Sequence, residues 1–176
     1  MKKSIILIGR ICSGKSSLAK LLSESLHIPK ASFGGYLANL APQLNLEANR
    51  ENLQNLGQSL IDKNADKFLE DVIIYSGSSE EMIFEGVRHE IIKEKIEQIS
   101  QSTISFYIEV SQEVRYKRCI ERQGINISYN DFCIEDGHLV EKEIESLKKN
   151  CNHFLDGNQT LLILKEKIIN YLAEVK

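Results

Sequence analysis

The sequence predicts an α/β fold of three layers, in which a parallel sheet of about five strands carries helices on both faces. Two observations carry this. Short, branched apolar runs alternate along the chain with longer segments of helical periodicity. The first run, "SIILIG" (4–9), passes through a Gly-containing loop straight into "GKSSLAKLLSESL", where Leu18, Leu21, Leu22 and Leu26 recur at helical spacing. A continuously apolar strand is typical of one buried on both faces, as inner strands of parallel sheets are.

The remaining elements follow in order. "KASF" (30–33) reads as a second short strand, and Gly34-Gly35 as a turn into "YLANLAPQL". Residues 49–70 read as a helix with Leu53, Leu56, Leu60 and Ile61 on one face. After the "SGSS" turn come a strand, "EMIFEG" (81–86), an amphipathic helix, "HEIIKEKIEQI", and another strand, "STISFYIEV" (102–110). "SQEVRYKRCIERQG" (111–124) is expected to be helical, with Ser111 as cap and Gly124 past its end. A polar stretch to about residue 137 leads into the helical "LVEKEIESLKK", the short apolar "NHFLD" and a last helix from about Gln159.

At 176 residues the chain suits a single domain, 1–176, with room for a small insertion. A formal net charge of -3 gives no global basic field, so a nucleic acid polymer is not an expected partner. The apolar runs are far too short to span a bilayer, so no membrane association is expected. Lys2 and Lys3 precede an apolar segment, but it stops at Gly9-Arg10 with no small-residue cleavage site after it, and a cytoplasmic protein is expected. Cys12, Cys119, Cys133 and Cys151 show no CxxC spacing and are expected to be thiols. Cys133, His138, Cys151 and His153 match no common zinc spacing, which favours buried thiols and surface imidazoles over a metal site.

Gly9-Arg10-Ile11-Cys12-Ser13-Gly14-Lys15-Ser16 is G-x4-G-K-S, a phosphate-binding loop. The glycines let the backbone wrap so that successive N–H groups face phosphate oxygens, and the following helix offers its positive end to the same anion. Lys15 is expected to reach the β- and γ-phosphates of ATP, the Ser16 hydroxyl to ligate Mg²⁺, and Ser17 to add a phosphate contact. Gly9, Cys12, Ser13 and Gly14 complete the expected loop. The chain carries no N-K-x-D or D-x-x-G pattern at a useful position, which disfavours a GTPase, and it is short for an ATPase domain with sensor elements.

With these motifs in order, the sequence resembles the nucleoside monophosphate kinase-like group of P-loop kinases, including dephospho-CoA kinases and phage-type deoxynucleotide kinases. The resemblance runs over most of the chain, through the P-loop, "SFGGYL", "NRENLQNLGQSLI", "FEGVRH", "EVRYKRCIERQG" and "FLDGNQT". It implies an acceptor-binding helical insertion at about 33–70, a lid at about 115–137, and a loop containing Gly157 beside adenine. Glu85 stands where many such kinases have a strand-end Asp, which implies a Mg²⁺ ligand, reached through water. Arg88 resembles the arginine that clamps the acceptor's phosphate with a planar fork, and Arg50 is a candidate second clamp. Phe33 and Gly34 would line the acceptor pocket, and Gln54 is a candidate for reading a base edge.

Each of these has a plainer reading. Glu85 can be an exposed turn acid, Arg50 a solvated helix charge, and Phe33 and Tyr36 core or pocket wall. Arg115, Arg118 and Arg122 are spaced i, i+3, i+7 and share one helical face. That face is either solvated and paired with Glu113 and Glu121, or, as the resemblance implies, Arg118 and Arg122 close on the transferring phosphoryl. Hydroxyl kinases of the group usually carry an Asp after the second strand, but no acid lies between Lys30 and Leu46 here. That absence, with Arg50 and Arg88, favours a phosphorylated acceptor such as a nucleoside or deoxynucleoside monophosphate. A hydroxyl acceptor of the dephospho-CoA type, with Glu85 as base, and a slowly hydrolysing regulatory protein remain the alternatives.

Overall fold

The computed structural model describes residues 1–123, 128–137 and 139–174. Five strands, β1 (Lys3–Ile8), β2 (Lys30–Ser32), β3 (Glu81–Glu85), β4 (Ser102–Glu109) and β5 (His153–Asp156), form one sheet in the order β2-β3-β1-β4-β5. Every pairing is parallel. The central place of β1 explains its unbroken apolar run, because its two faces feed two different cores. Ile6 and Ile8 pack with Phe33, Phe68, Phe84 and Ile92, whereas Ile5 and Leu7 pack with Leu18, Leu22, Phe106 and Ile168.

Helices α1 (Lys15–Leu26) and α8 (Leu161–Glu174) cover the second face. The first is covered by α2 (Phe33–Gln43), α3 (Arg50–Tyr75), α4 (Glu90–Gln98) and α7 (Leu139–Lys149). Two more helices, α5 (Gln112–Gln123) and α6 (Tyr129–Asp136), join the P-loop around a small cluster of Ile11, Cys119 and Phe132. Among the described residues no helix is long and apolar enough to cross a membrane.

Three sequence expectations change here. Gly34-Gly35 is not a turn before a helix but the first turn of α2, because Ser32 caps it, its Oγ accepting from Gly35 N at 3.1 Å. The expected helix 49–70 runs on to Tyr75 and kinks at Asn64, whose extended backbone (φ -170°) is followed by a new cap, Lys67 N donating to Asn64 Oδ1 at 2.9 Å. The polar stretch before residue 137 contains a further helix, α6, capped by the Ser128 side chain accepting from Asp131 N. Gly124, expected past the end of α5, lies outside the described residues.

Candidate active site

The loop between β1 and α1 is shaped by close approach. A Cβ on Gly9 would lie 2.6 Å from Ser13 Oγ and 3.0 Å from the Ile108 carbonyl, so only glycine lets the loop fold back beside β4. Gly14 (φ 91°) caps α1 in the left-handed region with no side-chain cap bond, leaving the first-turn amides available for an anion. Cys12 is also left-handed (φ 56°), although it is not glycine. Lys15 is buried and its Nζ donates to the Arg10 carbonyl at 3.0 Å. Burial, then the charges of Arg88, Arg50 and Arg122, pull its ammonium down to about 7, against the opposing pull of Glu85.

β3 lies directly beside β1, with Leu7 opposite Glu85. Glu85 is 5% exposed, not an exposed turn acid. It accepts from the Ser16 hydroxyl at 2.9 Å and from the Ser32 hydroxyl through a short bond. Ser16 and Glu85, the expected metal ligands, therefore meet. A hydroxyl and a carboxylate are the hard oxygen donors that Mg²⁺ prefers, and the pair fits that ion. Ser32, which orients Glu85, was not singled out by the sequence, since a short β-strand serine carries no signature of its own.

Beyond Glu85 a cleft of about 660 Å³ brings together Phe33, Gly34, Arg50, Gln54 and Arg88, with Leu37, Leu53 and Phe68 in its apolar wall. Burial, followed by the neighbouring Arg50, lowers the Arg88 guanidinium to about 10, while Glu85 acts the other way. Burial lowers Arg50 too, partly offset by Glu135 on α6, whose carboxylate lies 3.8 Å from Arg50 Nε. Arg50 is thus not a solvated helix charge. The Gln54 amide nitrogen is buried without a hydrogen-bond partner, a donor open to a ligand. Phe33 packs edge-on against Phe68, their centroids 5.5 Å apart, and Tyr36 leans on Phe68 and Tyr75, so both rings belong to the wall and core. Glu135 escaped the sequence reading because α6 did.

A second cleft, about 530 Å³, is lined by Cys12, Ser13, Gly14, Lys15, Ser16 and Ser17 together with Arg118, Arg122 and residues 159–161. Gly157 does not line it: a Cβ there would meet Val110 Cγ2 at 2.4 Å and Ile108 Cγ2 at 2.7 Å, so this glycine serves packing. Its carbonyl instead accepts from Arg118 Nη2 at 2.8 Å, and Arg118 Nη1 reaches the Ser13 carbonyl at 3.5 Å. Gln159, Thr160 and Leu161, which follow it in the same loop and the start of α8, line the cleft. Arg122 lines both clefts.

Arg115 parts company with its two neighbours. It is 4% exposed and grips Asp136 of α6 with both Nη atoms, at 2.5 and 2.9 Å, rather than pairing with Glu113 or Glu121. Arg10 and Gln112 also donate to Asp136. Burial alone would raise the Asp136 carboxyl, but the Arg115 hydrogen bond and charge, with Arg10 and Gln112, hold it below its ordinary value. Asp136→Ala strands a buried guanidinium and is expected to cost about 3–5 kcal/mol in urea unfolding at neutral pH. Because the folded carboxyl titrates below the unfolded one, this contribution stands at neutral pH and fades as pH falls through the folded value. The difference between wild type and variant should therefore shrink in acid.

Cysteine chemistry also departs from expectation. Cys12 and Cys119 are disulfide-bonded, Cα–Cα 5.6 Å, whereas Cys133 and Cys151 are free. Two cysteines separated by 107 residues carry no pairing signal in the sequence. Of the four residues weighed for zinc, His153 packs against Phe106 and Tyr171, and His138 lies outside the described residues. Among the described residues no group of three or more His, Cys, Asp or Glu side chains is placed to hold a metal.

The model of a family described as AAA domain matches residues 5–157. No curated protein sequence matches the chain. Among solved structures, the chain resembles shikimate kinase from Aquifex aeolicus, 20% identical over 97% of this chain and 96% of that one, with TM-score 0.63. A gluconokinase from Sinorhizobium meliloti is 18% identical over 98% and 93%, with TM-score 0.66. Shikimate kinase from Acinetobacter baumannii in complex with shikimate is 14% identical over 100% and 96%, with TM-score 0.67. At these identities the likeness shows a shared fold.

Proposed function

The chain belongs to the AAA domain family, and on that premise we propose that it is a P-loop kinase transferring the γ-phosphoryl of ATP to a small phosphorylated acceptor, most simply a nucleoside or deoxynucleoside monophosphate. The observation that carries this is the convergence of cations: Lys15, Arg50, Arg88 and Arg122 line one cleft, and after burial, the main cause, the arginine charges help to lower the Lys15 ammonium. Cations that share a cleft favour anionic ligands, and a substrate pair bearing phosphates on both sides supplies them. In this reading residues 33–70 hold the acceptor and the lid falls at residues 115–137, of which 124–127 lie outside the described residues. Ser16 and Glu85 would hold Mg²⁺, which neutralises phosphate charge when bound. Lys15 and the loop amides orient the donor phosphates, Arg88 and Arg50 fork the acceptor phosphate, and Gln54 meets a polar edge of the acceptor.

The experiment is ADP release measured across a panel of nucleoside monophosphates, sugar phosphates and hydroxyl acceptors including dephospho-CoA. The proposal expects stimulation by a monophosphate. Release that no acceptor raises above the basal rate would overturn it in favour of a slowly hydrolysing regulatory protein.

A hydroxyl acceptor is the second reading, and one contact favours it. His89 lines the acceptor cleft next to Arg88, and its Nδ1 sits 2.7 Å from Glu143. An imidazole oriented by a carboxylate is suited to take a hydroxyl proton. Stimulation by hydroxyl compounds alone, lost in His89→Gln, would select this reading.

ATP affinity should also depend on pH. Bound phosphates favour charged Lys15, so binding above pH about 7 takes up a proton and weakens as pH rises further. Titration calorimetry in two buffers of different ionisation heat reads this uptake directly. The free protein shows the converse: Lys15 sheds its proton near pH 7 when folded but near 10.5 when unfolded, so its contribution to stability rises with pH between those values.

A further inference from the structure

Three consecutive P-loop residues are fastened to a single helix. Arg115 Nη1 donates to the Ile11 carbonyl at 3.4 Å, Cys119 is bonded to Cys12, and Arg118 Nη1 donates to the Ser13 carbonyl at 3.5 Å. Positions 115, 118 and 119 lie on one face of α5, and the same face carries Arg122 to the junction of the two clefts. The middle fastening is covalent. Cys12, at φ 56°, holds a left-handed conformation that a non-glycine residue disfavours, two residues before Gly14 at φ 91°. Together they turn the loop that presents its amides to phosphate.

We propose that Cys12–Cys119 is a thiol–disulfide exchange site whose reduction by a dithiol weakens nucleotide binding. In the oxidised state the tether to α5 holds Cys12 left-handed and keeps Arg118 and Arg122 over the nucleotide cleft. In the reduced state the loop relaxes and α5 loses its covalent register with it. Access decides which sulfur is attacked. Cys119 is fully buried, while Cys12 is half-buried and lines both clefts. A thiolate of the dithiol attacks Cys12 Sγ, forming a mixed disulfide and breaking the bond to Cys119, which leaves as thiolate and takes up a proton. The second thiol of the dithiol then attacks its partner sulfur, closes the reductant's own disulfide and releases Cys12 as thiolate, which is protonated in turn. Two electrons and two protons pass from the dithiol to the cysteine pair. Linkage makes the effect reciprocal: if oxidation tightens nucleotide binding, bound nucleotide resists reduction by the same factor.

This rests on the nucleotide-binding part of the proposed function and not on the acceptor, so it is tested without one. The dissociation constant of Mg²⁺·ADP is measured on the full chain after oxidation by diamide and again after reduction by dithiothreitol. The expected result is about 5-fold or greater weakening on reduction, restored by reoxidation, with ADP slowing the reduction. Cys119→Ser is expected to bind with the weaker affinity under both conditions. Should that variant fail to fold, the wild-type comparison decides alone. Equal affinity in the two states overturns the proposal. So does a diamide-treated protein in which peptide mapping finds no Cys12–Cys119 link, or a redox response that persists in folded Cys119→Ser. Failure to bind ADP in either state would instead overturn the kinase reading.

Discussion

Replacing Arg122 with alanine is expected to lower turnover by ~10³-fold, while ATP and acceptor affinities change little. Arg122 stands where the two clefts meet, sharing that position with Cys12, Lys15 and Ser16. Its charge is felt by Lys15 on one side and by Arg50 on the other. A cation at that junction faces neither substrate fully in the ground state. On the proposed function, its interaction would strengthen as negative charge develops on the oxygens of the group in transit, so its loss would fall on kcat. About 4 kcal/mol of transition-state stabilisation corresponds to that rate. Pre-steady-state and steady-state ADP formation measured with saturating substrates checks it. A kcat within a few-fold of wild type, with a large rise in either KM, would mean that Arg122 only binds ground states.

Replacing Arg88 with alanine should act differently. It removes a half-buried guanidinium from the cleft proposed for the acceptor, and truncating one side of a charge pair that a bound acceptor would bury costs about 2–5 kcal/mol. The acceptor kcat/KM is therefore expected to fall by ~10²–10³-fold, with ATP binding retained. Arg88→Lys keeps the charge but loses the two-pronged fork and should recover only part of the loss. A second readout separates this role from mere packing. Arg88 is the largest charged contributor lowering Lys15, so its removal lets the Lys15 ammonium titrate higher. The fall in ATP affinity with rising pH should then begin above the wild-type value of about 7. An unchanged pH profile together with unchanged acceptor kinetics would remove Arg88 from the site.

Local chemistry made much of the site legible in the sequence. The P-loop is a run of contiguous residues whose spacing encodes its own turn, and its strand and helix announce themselves through apolar periodicity. The end of "EMIFEG" (81–86) was legible as well, because a parallel strand next to β1 delivers its final acid to the loop on that strand: Leu7 lies opposite Glu85, and Ser16 donates to it. Other parts were hidden for physical reasons. α6 buries Phe132 but leaves Ile134 73% exposed, so no apolar stripe marks it as a helix, and Glu135 and Asp136 went unread with it. The glycines after Ser32 look like a turn until the Ser32 side chain is seen accepting from Gly35 N.

The sequence by itself determined the sheet, the phosphate-binding loop and the presence of three arginines on one helical face. Only the tertiary structure decided what each arginine does. Spacing sets which side chains share a face, but not what that face meets. Arg115 meets a buried carboxylate 21 residues away and becomes part of the frame. Arg118 meets the carbonyls of Ser13 and Gly157, and Arg122 meets open cleft. The pairing of Cys12 with Cys119 is of the same kind: contacts across 107 residues depend on how packed elements bring backbones within reach, which no local pattern records.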